Sequence, residues 1–320
     1  MIGKIIIFIG LLTICLDSKA AEVLPLDDAL RATYVACIGI DEDMADLKKM
    51  AGINTAVTAV GTGVGIGAVA TGIAKAKTDD ILKQKYQEMA DLSYGAATYV
   101  ETISEEEFTE AVSNFLSSVQ SKDTNVNTED VNNLQAEIDK LEAKSKRLGN
   151  WRTGLLAVNT ATNVAGAVIA GTNKVEKSLQ EKINDCKLSV KKLQDSILMA
   201  KFDGRDISEA AQIQKVCSGF EYVDISKINK RATGAMVSSI VGAGTGMAGT
   251  ITSALANSKN IRSNDSIDGV RKEENLNTAS NVLAAGSTIA SASATIFNAT
   301  QIKAIKDVAT VAEQCSEVLR

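Results

Sequence analysis

Five cysteines and not one histidine set the limits on what this 320-residue chain can do chemically. Without His there is no Ser–His or Cys–His pair and no imidazole metal ligand. The cysteines are Cys15, Cys37, Cys186, Cys217 and Cys315. Their wide spacing excludes a CxxC redox centre and a zinc knuckle. What remains for them is disulfide chemistry or burial as free thiols.

Two other patterns invite a chemical reading. Gly244-Thr-Gly246-Met-Ala-Gly249 matches the dinucleotide fingerprint GxGxxG, and Met236–Val241 before it has the texture of a strand. A true fingerprint needs a second strand about twenty residues on, ending in an acid for the ribose. The chain instead reads Asn260–Asp268, polar and turn-like. A nucleotide-binding enzyme is therefore the remote alternative, with Gly244, Gly246 and Gly249 as its site. The acid runs Asp41-Glu42-Asp43 and Glu105-Glu106-Glu107 splay around a helix rather than converge, and read as solvated faces. No catalytic residue, cofactor or metal is expected, and no small-molecule substrate is evident. A net charge of −5 and 4% aromatic content argue against a nucleic-acid partner.

The N-terminus reads as a secretory signal. Met1–Lys4 is basic, Ile5–Ile14 is apolar, and Ser18-Lys19-Ala20 offers small residues for cleavage before Ala21. A retained anchor is disfavoured by the short apolar run. Lipidation at Cys15 is disfavoured by the bulky Ile14 before it. Removing residues 1–20 takes Lys4, Lys19 and Asp17 and shifts the net charge from −5 to −6. It also leaves four cysteines for an oxidising compartment, periplasmic or extracellular.

The elements that hold those cysteines are long. A single proline, Pro25, leaves the rest of the chain free to form uninterrupted helices. Four uncharged or nearly uncharged stretches are rich in Gly, Ala, Ser and Thr: Ala51–Lys77, Thr153–Asn173, Ala232–Ser258 and Asn275–Ile302. They exceed the usual strand length several-fold, so they read as helices. Glycine costs roughly 1 kcal/mol in a helix interior relative to alanine, so its abundance calls for close backbone approach. Gly61, Gly63, Gly65, Gly67, Gly166, Gly242, Gly244, Gly246, Gly249 and Gly286 are the expected packing positions. Residues 78–148 are charged instead. Phe108–Val119 is amphipathic, Ser121–Asp130 is a polar loop, and Leu134, Ile138, Leu141, Ser145 and Leu148 form a coiled-coil-like seam. Thr153–Asn173 runs into Lys174–Ala200 with no break signal between them.

Two matches suggest an internal duplication. Cys37-Ile-Gly39-Ile40-Asp41 parallels Cys217-Ser-Gly219-Phe220-Glu221, and Asn159–Val164 parallels Asn277–Val282 in five of six residues. Each half reads as a Cys-bearing helix, two small-residue helices and a second Cys-bearing helix. That order selects the disulfides Cys37–Cys186 and Cys217–Cys315 from three pairings. The expected fold is all-α: an elongated bundle of long antiparallel helices in two repeats, 21–203 and 204–320, with residues 78–148 inserted in the first.

The expected function is that of an exported, non-enzymatic protein of the cell envelope or secreted milieu, packing against itself or a protein partner. The alternative is a membrane-inserting or pore-forming protein, since stretches of this length suit a span. Against independent spans, only seven of the 23 residues Gly52–Ala74 are Val or Ile. N-terminal sequencing of the exported protein is expected to begin at Ala21. A first residue of Met1, or a lipidated Cys15, contradicts the signal assignment.

Overall fold

The computed structural model describes residues 23–94, 128–258 and 267–320. The expected signal at 1–20, the helix Phe108–Val119 and most of the polar loop after it lie outside the described residues. The described residues are 92% helical with no strand, an all-α bundle of long helices. In order they form α1 (Leu26–Cys37), α2 (Ile40–Tyr94), α3 (Thr128–Thr172), α4 (Lys177–Phe202) and α5 (Ser208–Cys217). A 3-10 turn (Ser218–Tyr222), α6 (Ile225–Ala256) and α7 (Ile267–Leu319) complete the chain.

The chain divides into two compact units, and neither is one half of the sequence. Unit 1 takes its described residues from the segments ending at Lys49, Val175–Asn229 and Lys303–Arg320. Unit 2 takes Met50–Lys174 and Lys230–Ile302. Both expected repeats therefore contribute to both units: their Cys-bearing ends to unit 1, their small-residue helices to unit 2.

Unit 1 has an ordinary apolar core. Pro25 precedes α1, and Asp27 and Asp28 in its first turn suit the positive end of the helix dipole. Leu26, Ala29, Thr33 and Cys37 line the buried side of α1, and Ile183, Cys186, Val190 and Leu193 that of α4. Gly39, at φ +79°, ends α1 in a left-handed conformation that glycine adopts without strain. Gly204, at φ +71°, does the same after α4, where Asp203-Gly204 predicts a turn. The start of α5 is set by Asp206, whose carboxylate accepts the Ser208 hydroxyl and the Ser208 backbone N–H. The side-chain bond first, and the backbone bond second, hold the Asp206 carboxyl below the usual carboxylate range. Asp224 receives Ser226 in the same way as α6 begins.

Both disulfides lie in unit 1. Cys37 bonds to Cys186 at 2.02 Å and Cys217 to Cys315 at 1.94 Å. These are the pairs that the cysteine order selects, and the first ties α1 to α4, the second α5 to α7.

Unit 2 is a four-helix bundle of alternating direction. Along α2, Gly61, Gly65 and Gly72 meet Thr162, Asn159 and Arg152 of α3 in descending order, so these helices are antiparallel. Thr62, Gly65 and Lys75 of α2 likewise descend through Thr295, Thr288 and Glu273 of α7. On α6, Gly242 and Gly246 descend through Asn163 and Thr160 of α3, while Gly234 and Gly249 descend through Phe297 and Leu283 of α7. Each of α2 and α6 thus packs antiparallel between α3 and α7.

Residues 78–94 continue α2 and residues 129–148 belong to α3. Met89, Val131, Leu134 and Ile138 make a conventional apolar cluster there. Ser145 is buried and Leu141 and Leu148 are half-buried, as the seam predicts. Helix α3 ends at Thr172, contrary to the continuous run expected through residue 174. The buried Asn173 carbonyl accepts from Gln301 at 2.8 Å, and the Val175 N–H donates to Asn229 at 2.8 Å, so side chains replace the helical pattern at that break.

Non-reducing peptide mapping is expected to recover Cys37–Cys186 and Cys217–Cys315. A Cys37–Cys315 or Cys186–Cys217 peptide contradicts the assignment. Cys37→Ser with Cys186→Ser removes a bridge across 149 residues. Its expected cost in unfolding free energy is about 2–5 kcal/mol.

Candidate functional site

The unusual chemistry of the molecule is in the interior of unit 2, where buried Asn, Ser and Thr are interleaved with buried Ala and with an apolar cluster of Ala68, Leu156 and Ala284. Asn159 and Asn163 lie one turn apart on α3 and both are buried. Asn159 Nδ2 donates to Ser287 Oγ at 2.9 Å, and Ser287 Oγ donates to the Gly242 carbonyl at 2.7 Å. Ser291 Oγ lies 3.0 Å from Asn163 Oδ1 and 3.2 Å from Asn159 Oδ1. This network links α3, α6 and α7. Nearer the start of α2, Asn54 Nδ2 donates to Asn298 Oδ1 at 2.8 Å, and Asn298 Nδ2 donates to Thr58 Oγ1 at 3.2 Å. Ser280 Oγ donates to the Gly249 carbonyl at 2.9 Å, and Thr153 and Ser253 hydroxyls meet at 2.8 Å.

Charges close one end of this interior. Lys75, 1% exposed, holds Asp79 at 2.7 Å and Glu273 at 2.9 Å. Ser145 donates to the other oxygen of Asp79. Arg152 is 0% exposed, and its Nη2 donates to the Asn277 carbonyl at 3.2 Å.

The outer surface of the same helices is apolar. Val60, Ile66 and Ile73 on α2, Val158, Val164 and Val168 on α3, Val237, Ile240, Met247 and Ile251 on α6, and Val282, Ile289 and Ile296 on α7 are all exposed. Soluble bundles place such residues inside and polar ones outside. Four stretches among the described residues are long and apolar enough to cross a membrane: Leu26–Met89, Glu129–Thr172, Ser208–Ala256 and Lys272–Leu319. Only 28% of the most apolar window is buried in the first three and 33% in the fourth. Membrane-capable helices together with disulfide-bonded cysteines fit a membrane-associated or exported protein.

Close approach explains some of the expected packing glycines and not others. A Cβ on Gly61 would come within 2.6 Å of Thr162 Oγ1, one on Gly65 within 2.5 Å of Thr288 Oγ1, and one on Gly246 within 2.6 Å of Thr160 Oγ1. Gly242 abuts Asn163 at 2.8 Å, Gly166 abuts Thr58 at 2.9 Å, and Gly249 abuts Leu283 at 3.3 Å. Gly67 and Gly286 have neighbours only at ordinary contact distance. Gly63 and Gly244 face open space, so the expectation for those two is corrected. The reason is the helical period: two residues past Gly61 or Gly242 is about 200° around the helix, on the opposite face. Gly72, Gly149 and Gly234 are close approaches that composition did not single out, against Asn281, Asn257 and Phe297.

The GxGxxG match sits in the middle of α6, with no strand among the described residues, so the strand–turn–helix that a dinucleotide site requires is missing there. No group of His, Cys, Asp or Glu suited to a metal ion occurs among the described residues. Cys37 and Cys217 hold equivalent places, each ending a short helix before a long one. The hexapeptides do not share a level: Asn159 pairs with Ser287, almost three turns past Asn277. Comparisons with protein-family models, with curated proteins and with solved structures return no match.

The glycine assignment predicts opposite signs on one helix. Gly242→Ala is expected to destabilise the bundle by about 1–3 kcal/mol through overpacking against Asn163. Gly63→Ala and Gly244→Ala are expected to be neutral or to stabilise by up to about 1 kcal/mol, through helix propensity alone. Thermal unfolding of the three variants checks this.

Proposed function

We propose that the chain is an exported membrane protein whose small-residue helices cross a bilayer as a self-contained four-helix bundle, with helix packing rather than catalysis as its work. The observation that carries the reading is the inversion within unit 2: hydrogen-bonded Asn, Ser and Thr inside, Val, Ile and Met outside. In water that arrangement forfeits the hydrophobic effect. In lipid it is favourable, because apolar side chains face acyl chains while small residues let backbones approach and polar groups bond between helices. The dimensions agree. The uncharged run between Arg152 and Lys174 on α3 is the shortest of the four, and 21 residues rise about 32 Å against a hydrocarbon core of about 30 Å.

Unit 1 supports export. Its apolar core and two disulfides suit an aqueous, oxidising compartment. Trp151, the sole tryptophan, is 64% exposed at the start of the uncharged run of α3, and an exposed indole there suits a headgroup level. The interdigitated interior favours a structural bundle that engages itself or a protein partner over an open pore. The second reading is a soluble envelope protein whose apolar coat is covered by further copies or a partner.

Two measurements separate these readings. After expression with the native N-terminus, the protein is expected in the carbonate-resistant membrane fraction, and Ile289→Lys is expected to reduce its insertion by about 2.5–3.5 kcal/mol. Release of wild-type protein by carbonate contradicts membrane insertion. Dye leakage from liposomes carrying the protein would replace the structural bundle by a pore.

A further inference from the structure

We infer that Arg152, together with Gly72 and Asn281, forms a site for a small inorganic anion of the halide class inside the α2–α3–α7 corner of unit 2. The Arg152 side chain is fully enclosed. Of its three nitrogens, Nη2 donates to the Asn277 carbonyl at 3.2 Å, while Nε and Nη1 are buried with no hydrogen-bond partner in the protein. No carboxylate among the described residues lies within ion-pair distance of it. The neighbouring acids serve another cation: Asp79 and Glu273 hold Lys75, which stands one turn from Gly72 on α2.

A buried guanidinium always keeps its charge, so it calls for a counter-charge that the protein does not supply here. Asn281 Oδ1 is buried and unpartnered. Gly72 is buried between the two, and a Cβ there would stand 3.2 Å from Arg152 Nε and would overlap Asn281 Oδ1. Turning the Asn281 carboxamide about its last bond presents N–H donors instead of the oxygen, since the two ends are nearly isosteric. Arg152 and Asn281 then converge as donors over a glycine backbone. Full enclosure restricts the ligand to a compact anion, because a lipid headgroup or a peptide carboxylate cannot reach a side chain with no exposed surface. The inference holds whether the apolar coat faces lipid or another protein, so its failure is distinct from failure of the membrane reading.

The test uses the full-length protein in detergent, heated in potassium chloride and in potassium gluconate at equal potassium concentration. Chloride is expected to raise the wild-type Tm saturably, by roughly 5 °C at concentrations far above Kd. Arg152→Gln is expected to lose that chloride dependence. Asn281→Asp supplies a tethered carboxylate in place of the anion, so its Tm in gluconate is expected to approach the wild-type value in chloride and to ignore chloride. The second variant decides the matter should Arg152→Gln not fold. A wild-type Tm equal in the two salts, or a full chloride shift retained in Asn281→Asp, overturns the site.

Discussion

Asn159 sits in the hydrogen-bond network that joins α3, α6 and α7, and what it needs sets the terms for unit 2. A buried carboxamide left unbonded costs several times what a made hydrogen bond contributes. Its Nδ2 therefore has to find Ser287, and Ser287 in turn has to find the Gly242 carbonyl. Residue 242 has no side chain, and a Cβ there would stand 2.8 Å from Asn163. The same logic places Gly65 and Gly61 against the other side of Asn159 and Thr162. Small residues bring the helices together, proximity satisfies the polar groups, and the large apolar residues are left to the outside. An outer surface of Val, Ile and Met follows from how the interior is filled.

Unit 1 obeys the opposite rule with the same kind of element. Its helices bury Leu, Ile, Val, Phe and Cys and turn charges outward, and Arg320 with Asp41 and Lys182 with Asp43 are ordinary exposed pairs worth little in energy. Its helices are short where unit 2's are long, and it draws on three separate stretches of chain. Disulfides between residues 149 and 98 apart in sequence suit such a body, because they limit the freedom of the unfolded chain. One chain thus carries two patterns of burial.

How much of this can be read in the sequence depends on the kind of signal. Helices announce themselves through length, the near absence of proline and the four-three rhythm, and the cysteine pairing follows from the order of Cys-bearing helices. The turns at Gly39 and Asp203-Gly204 are equally plain. The direction a small-residue helix faces is harder. In Gly61-Thr62-Gly63-Val64-Gly65 glycines fall on both faces, so composition cannot say that Gly65 meets Thr288 while Gly63 meets nothing; only the partner's position fixes that phase. The break at Asn173 has only Gly171 and Asn173 as local signals, and there the Asn173 carbonyl accepts from Gln301. Arg152 looks like a boundary charge in sequence and becomes an enclosed one only when α2 and α7 close over it.

The central claim is that the outer face of unit 2 meets lipid, and spin labelling tests it most directly. Single nitroxides at Val168, Val241 and Ile289, in oxidised protein reconstituted into liposomes, report collision with oxygen, which partitions into lipid, and with a nickel chelate, which stays in water. All three residues are exposed in the free bundle. The account predicts high oxygen and low nickel accessibility at all three sites. High nickel accessibility at these positions, equal to that of a label on the exposed Phe202 of unit 1, would contradict it.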